Sequence, residues 1–311
     1  MGLDVSPSES ARVPGGEARV SALGYLSSLN PYLADLAGRA TALRPPATEM
    51  TLRVDADWFL EFFEVSDEAT ARRTRVAWQL LALHNLLQDH RLDGDLSDVS
   101  LAFGSDLLGN LLVADGVGML SRVAGHAPEF WDDVHHAYDD FAWAYANEAK
   151  LGQHFAIPPS DEFVSLVVDR VAPLRLPASA LSCHTGRRDR YAAVCRAVGQ
   201  SIFAGQLRDD LSDWRVDHAR GKPTYVLLRA ARQAGAPLSE CTADRLADAL
   251  YLEGVLEELL AQIRTHADQA LSEVADVPHR CFEAYLRGIR DESSGIAVRV
   301  AARRSASEPV E

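Results

Sequence analysis

The stretch AGQLRDDLSDWRVDHARGKPTYVLL, from Ala204 to Leu228, decides how the rest of the chain is read. Asp209, Asp213 and Asp217 recur at every fourth position, so a helix of about 3.6 residues per turn sets all three on one face. Followed backwards, that stripe passes Gln206, Ile202, Val198, Cys195 and Tyr191, a run of the kind that faces a core, and the acids are therefore expected to point inward. Carboxylates about 6 Å apart at an effective dielectric of about 20 repel by roughly 3 kcal/mol, so an inward cluster needs protonation or a cation. An all-oxygen donor set suits Mg²⁺, which keeps several waters and is usually completed by substrate phosphates. Lys222, in the turn Gly221-Lys222-Pro223-Thr224, supplies a positive point charge for such phosphates. The plain alternative is a solvated acidic face with Arg208, Arg215 and Arg220 as partners.

A second acidic cluster lies upstream in LHNLLQDHRLDGD, Leu83 to Asp95. Asp89 and Asp93 share a helical face with Asn85, Ala82 and Trp78, so here too an inward stripe turns acidic near its helix end. Two such helices facing each other would frame one cavity.

These residues carry a resemblance. Gln206-Leu207-Arg208-Asp209-Asp210-Leu211-Ser212-Asp213 with Gly221-Lys222 resembles the second aspartate-rich motif and diphosphate-binding lysine of trans-isoprenyl diphosphate synthases, and of the terpene synthases that share their class I isoprenoid synthase fold. Asp89-His90-Arg91-Leu92-Asp93 resembles the first motif, Leu101 to Leu108 the segment after it, and Leu151-Gly152-Gln153 the glycine-glutamine element between the motifs. The matching span runs from about 80 to 228. Within it the sequence also departs from the pattern. His90 stands at the middle aspartate, Leu96 to Ser100 holds no paired arginines, and Gly205 replaces the usual aromatic before the glutamine, which is expected to enlarge the cavity.

The resemblance implies that Asp89, Asp93, Asp209, Asp213 and Asp217 hold Mg²⁺, about three ions with the diphosphate bound, while Lys222, Gln206 and Asp210 meet the substrate. Trp78, Ala82, Asn85, Phe203 and Gly205, one or two turns before the acids, are the candidate pocket. Tyr285 and Arg287 on the last helix are candidates to close it. The expected activity is a terpene cyclase that ionises geranyl, farnesyl or geranylgeranyl diphosphate, because the missing arginines weaken chain elongation. The alternatives are a chain-elongating prenyltransferase and an inactive prenyl-diphosphate-binding homologue. A histidine-aspartate phosphohydrolase ranks last: the chain has ten histidines but no His-Asp dipeptide. A homodimer is implied by the resemblance alone.

Composition agrees. The 311 residues are 47% hydrophobic, enough for a sizeable core, and the net charge of −14 disfavours nucleic-acid or anionic-membrane partners. Cys183, Cys195, Cys241 and Cys281 are scattered, which suits a reducing cytoplasm and neither a zinc site nor a disulfide scaffold. No apolar leader or membrane span is read. Periodicity predicts an all-α bundle of about ten helices around a central apolar cavity, over 18–302, with loose tails at 1–17 and 303–311. Trp58, Phe59, Phe62 and Phe63 read as core. Asp132, Asp133, His135, His136, Asp139 and Asp140 read as a solvated face. Ser66 is the expected cap of the first motif helix, 242–274 one long helix, and His279 to about Asp291 the last helix.

Overall fold

The structure, a computed structural model, describes residues 22–42, 56–92, 94, 99–154 and 160–307. The tail expected at 1–17, the connection Arg44-Pro45-Pro46, and Asp93 with the following Asp95 to Asp98 lie outside them.

Among the described residues the chain is helical and contains no strand. In order the helices are α1 (Ala22–Leu29), α2 (Pro31–Ala42), α3 (56–62), α4 (Glu68–Leu92), α5 (Val99–Val123), α6 (Pro128–His154), α7 (Ser160–Asp169), α8 (Leu176–Thr185), α9 (Arg188–Arg220), α10 (Tyr225–Ala234), α11 (Ala243–Tyr251), α12 (Val255–Glu273) and α13 (Arg280–Ser307). Asn30 separates α1 from α2, which Pro31 opens. The first motif begins on α4, which carries Asp89 to Leu92, and the second lies on α9. Helix α9 packs against α7, α8, α10, α12 and α13, while α4 packs against α1, α2, α5 and α8.

The aromatic stripe on α3 is buried, with Phe62 edge-on to Phe282 and Trp58 against Phe282 and Tyr285 of α13. A satellite core of Leu26, Leu36, Leu80, Leu83, Leu87, Leu108 and Leu112 ties α1 and α2 to α4 and α5.

Several boundaries differ from the sequence reading for local physical reasons. Asp67, rather than Ser66, caps α4, its carboxylate accepting from the Thr70 amide at 2.7 Å. The long helix expected over 242–274 is two, because Gly254 takes φ +95° and ends the hydrogen-bond ladder between α11 and α12. Pro177 lies in the first turn of α8, where its missing amide proton costs no intrahelical bond. Helix α13 continues to Ser307, past the expected end at Asp291 and into the stretch expected to be loose, and 308–311 lie outside the described residues.

The turn after α9 is built as its sequence suggests. Gly221, at φ +71°, closes the helix, and the Lys222 amide donates to the Asp217 carbonyl at 2.9 Å, which carries Lys222 directly off the acidic helix end. Thr224 then caps α10, its hydroxyl accepting from the Leu227 amide. Thr224→Ala is expected to cost about 1 kcal/mol in denaturant unfolding.

Candidate active site

The two motif helices are joined by a residue outside both motifs. Arg170, just beyond α7, accepts on its main-chain oxygen from Asn85 Nδ2 of α4 at 3.1 Å. Its guanidinium donates to Glu148 Oε1 of α6 at 2.7 Å and to Gln206 Oε1 of α9 at 3.3 Å. Gln206 Nε2 in turn donates to Asp210 Oδ1 at 2.6 Å. On the α4 side, the Tyr145 hydroxyl of α6 donates to Asp89 Oδ1 at 3.2 Å. Asn85 and Gln206, chosen from sequence, thus bond to Arg170, which sequence reading passed over, with Asp210 behind Gln206 and Asp89 within the field of its charge.

The electrostatics follow from that arrangement. Burial alone would lower the Arg170 pKa, but Glu148 and then Asp89 hold its charge more firmly than usual. Burial and Asp89 together push Tyr145 up, so it stays a hydrogen-bond donor. Burial raises Asp210 from 3.8 to about 7, and Asp217 and Asp209 add to the rise against the Gln206 hydrogen bond and Arg170. The native carboxyl therefore keeps its proton to higher pH than the unfolded chain, and its linkage makes stability fall as pH rises from about 4 to about 7. Asp210→Asn is expected to raise the thermal midpoint of the metal-free protein more at pH 8 than at pH 5, and an equal gain at both would exclude this titration.

The inward face of α9 differs from the expected one. Asp209 and Asp213 are exposed and Asp217 is half-buried, whereas Asp210 is only 5% exposed. The buried meridian runs Phe203, Leu207, Asp210, Trp214, rotated by about one residue, or about 100°, from the stripe read in the sequence. Asp209 instead accepts from Arg208 at 3.1 Å.

The candidate pocket residues separate. Trp78, Ala82 and Phe203 are packed into the main core. Phe203 stands edge-on to Phe163, Tyr225 and His266. At Gly205 a Cβ would lie 3.1 Å from the Tyr285 hydroxyl, so the space expected to widen a cavity faces α13. Arg287, expected to help close the site, is exposed and pairs with Glu283. An apolar surface cleft of about 360 Å³, lined by Val113, Val117, Trp131, Val134 and Tyr138, opens between α5 and α6.

On α6, Asp132, His135, His136 and Asp139 are exposed as expected. Asp133 and Asp140 instead bind Arg188 and Arg175 at 2.7 Å each. Among the described residues no three metal-capable His, Cys, Asp or Glu side chains are gathered for one ion, and no helix is long and apolar enough to cross a membrane.

This helical architecture is the class I isoprenoid synthase fold, and solved trans-prenyl diphosphate synthases share it. Octaprenyl pyrophosphate synthase from Helicobacter pylori is similar at TM-score 0.64 and 13% identity, covering 86% of this chain and 98% of that one. A polyprenyl synthase from Caulobacter crescentus, complexed with calcium and isoprenyl diphosphate, is similar at TM-score 0.62 and 15% identity over 88% of this chain and 96% of that one. Geranylgeranyl pyrophosphate synthase from Corynebacterium glutamicum, complexed with isoprenyl diphosphate and magnesium, gives TM-score 0.57 and 15% identity over 88% and 96%. No protein-family model and no curated protein matches the sequence. At such identities the likeness establishes the fold and leaves the chemistry to the site.

Proposed function

We propose that this chain is a divalent-metal-dependent prenyltransferase that joins an allylic prenyl diphosphate to isopentenyl diphosphate. The observation that carries the reading is the Arg170 junction, whose main chain is bonded by Asn85 of α4 and whose guanidinium bonds Gln206 of α9, linking the helices that carry Asp89 and Asp210. The similar structures, all prenyl diphosphate synthases, favour elongation over the cyclisation expected from sequence.

The donor chemistry fits a hard cation. Asp89, Asp209, Asp213 and Asp217 offer oxygens only, and Asn85 Oδ1 is buried without a hydrogen-bond partner among the described residues. With no ready-made set of three ligands, the remaining oxygens come from diphosphate and water, as is usual for Mg²⁺. When bound, the ion supplies Lewis-acid stabilisation of the departing diphosphate.

The chain's own part is to place charge and keep water out. Lys222 supplies the positive charge for the diphosphate, and the buried Arg170 ties the two motif helices together. Asp89, held by Tyr145, fixes the first helix end. In the reaction the allylic C–O bond breaks as a bond forms to isopentenyl diphosphate, with inorganic diphosphate and one proton released.

Cyclisation is the second reading, favoured by Leu96 to Ser100, where no arginine stands to hold a second diphosphate. Turnover with Mg²⁺ and geranyl, farnesyl or geranylgeranyl diphosphate separates the two. A longer diphosphate formed only with isopentenyl diphosphate supports elongation, and a hydrocarbon or alcohol from one substrate supports cyclisation. Binding without turnover would identify an inactive homologue, and no binding in saturating Mg²⁺ would overturn all three.

A further inference from the structure

We propose that Glu148 is a positioning residue that holds the Arg170 guanidinium away from Asp89 and so keeps the first acidic helix end ready for a divalent ion. This rests on the reading of the site as an ion-assisted diphosphate site. The same stretch of α6 presents two groups to the junction: Tyr145 donates to Asp89 at 3.2 Å, and Glu148, three residues on, accepts from Arg170 at 2.7 Å. Glu148 and Asp89 compete for one buried cation, and Glu148 is its stronger electrostatic partner.

A buried guanidinium does not stay without a counter-charge. With Glu148 neutral, the group that next attracts Arg170 is Asp89, and a carboxylate paired with arginine is a poorer ligand for an added ion. Two further facts fit. The Arg170 backbone is fixed by Asn85, so its side chain turns about a tethered root. Its Nε and Glu148 Oε2 have no hydrogen-bond partner among the described residues, so the pair has spare capacity for a change of contact.

The test is Mn²⁺ binding in the presence of inorganic pyrophosphate, followed by electron paramagnetic resonance, with full-length wild type, Glu148→Gln, Arg170→Gln and the double variant. Glutamine keeps the shape of Glu148, and circular dichroism checks that each variant is folded. Glu148→Gln is expected to weaken Mn²⁺ binding on the order of tenfold, as changes in groups behind a metal ligand do. Adding Arg170→Gln to it restores most of that loss, a gain larger than the same change makes in the wild type. Glu148→Asp, which keeps the charge, stays within about threefold of wild type. Unchanged binding in Glu148→Gln, or an equal effect of Arg170→Gln in both backgrounds, overturns the proposal. A wild type that binds no Mn²⁺ overturns the functional reading and the proposal with it.

Discussion

Asp89→Ala is expected to lower kcat on the prenyl diphosphate substrate on the order of 10²–10³-fold, the loss typical of removing one group that stabilises developing charge. The carboxylate lies in the field of Arg170 and accepts from Tyr145. In the proposed site its loss removes an oxygen donor for the ion and one counter-charge of the buried guanidinium. Tyr145→Phe gives the matching control. It removes one hydrogen bond, worth about 1 kcal/mol, and should cost no more than about tenfold. Steady-state kinetics in saturating Mg²⁺ checks both. A kcat for Asp89→Ala within about threefold of wild type would remove the first helix end from the chemistry.

Phe203→Ala is expected to destabilise the protein by about 3–5 kcal/mol, the usual cost of deleting a fully packed aromatic. Phe203 is 2% exposed and meets Phe163 of α7, Tyr225 of α10 and His266 of α12, so the deletion opens a void where three helices lean on α9. Denaturant unfolding reads the change as a lower midpoint at unchanged slope. The outcome discriminates between two roles. A residue lining a reaction chamber would lose little stability and change the product, whereas a packed strut loses stability first. Stability within about 1 kcal/mol of wild type would return Phe203 to the pocket where sequence reading placed it.

Much of the architecture is legible along the chain because its causes are local. The α3 aromatics fall at helical spacing and are buried as read. Gly221 after α9 marks a left-handed cap, and the motif glycine-lysine pair owes its geometry to that requirement. Where prediction failed locally, a single competing residue decided: Gly254 divided α11 from α12, and Asp67 took the cap from Ser66.

The site was legible only in part. The acids read from the sequence lie on one helix, α9, but that helix presents Asp210 to the interior in place of Asp209 and Asp213. A one-residue rotation turns a helix face by about 100°, and apolar flanks on both sides of the segment allow either choice. Arg170 gave no signal, because an arginine in VVDRV reads as ordinary surface charge, and Glu148 stood out only as a neighbour of the glycine-glutamine element. Gly205 was noticed for the aromatic it lacks, yet the hydroxyl that approaches it comes from Tyr285 on α13.

The sequence by itself determined that this protein is a helical bundle carrying two acidic helix ends, since periodicity, caps and carboxylate spacing act within a few turns of one helix. Only the tertiary structure decided which carboxylate faces inward and which cation joins the two ends. Arg170 reaches Glu148 and Gln206 across 22 and 36 positions of chain, and no local rule registers a partner at that separation. Its position comes from the packing of α7 between α6 and α9, which sets the guanidinium where low dielectric makes each neighbouring carboxylate count.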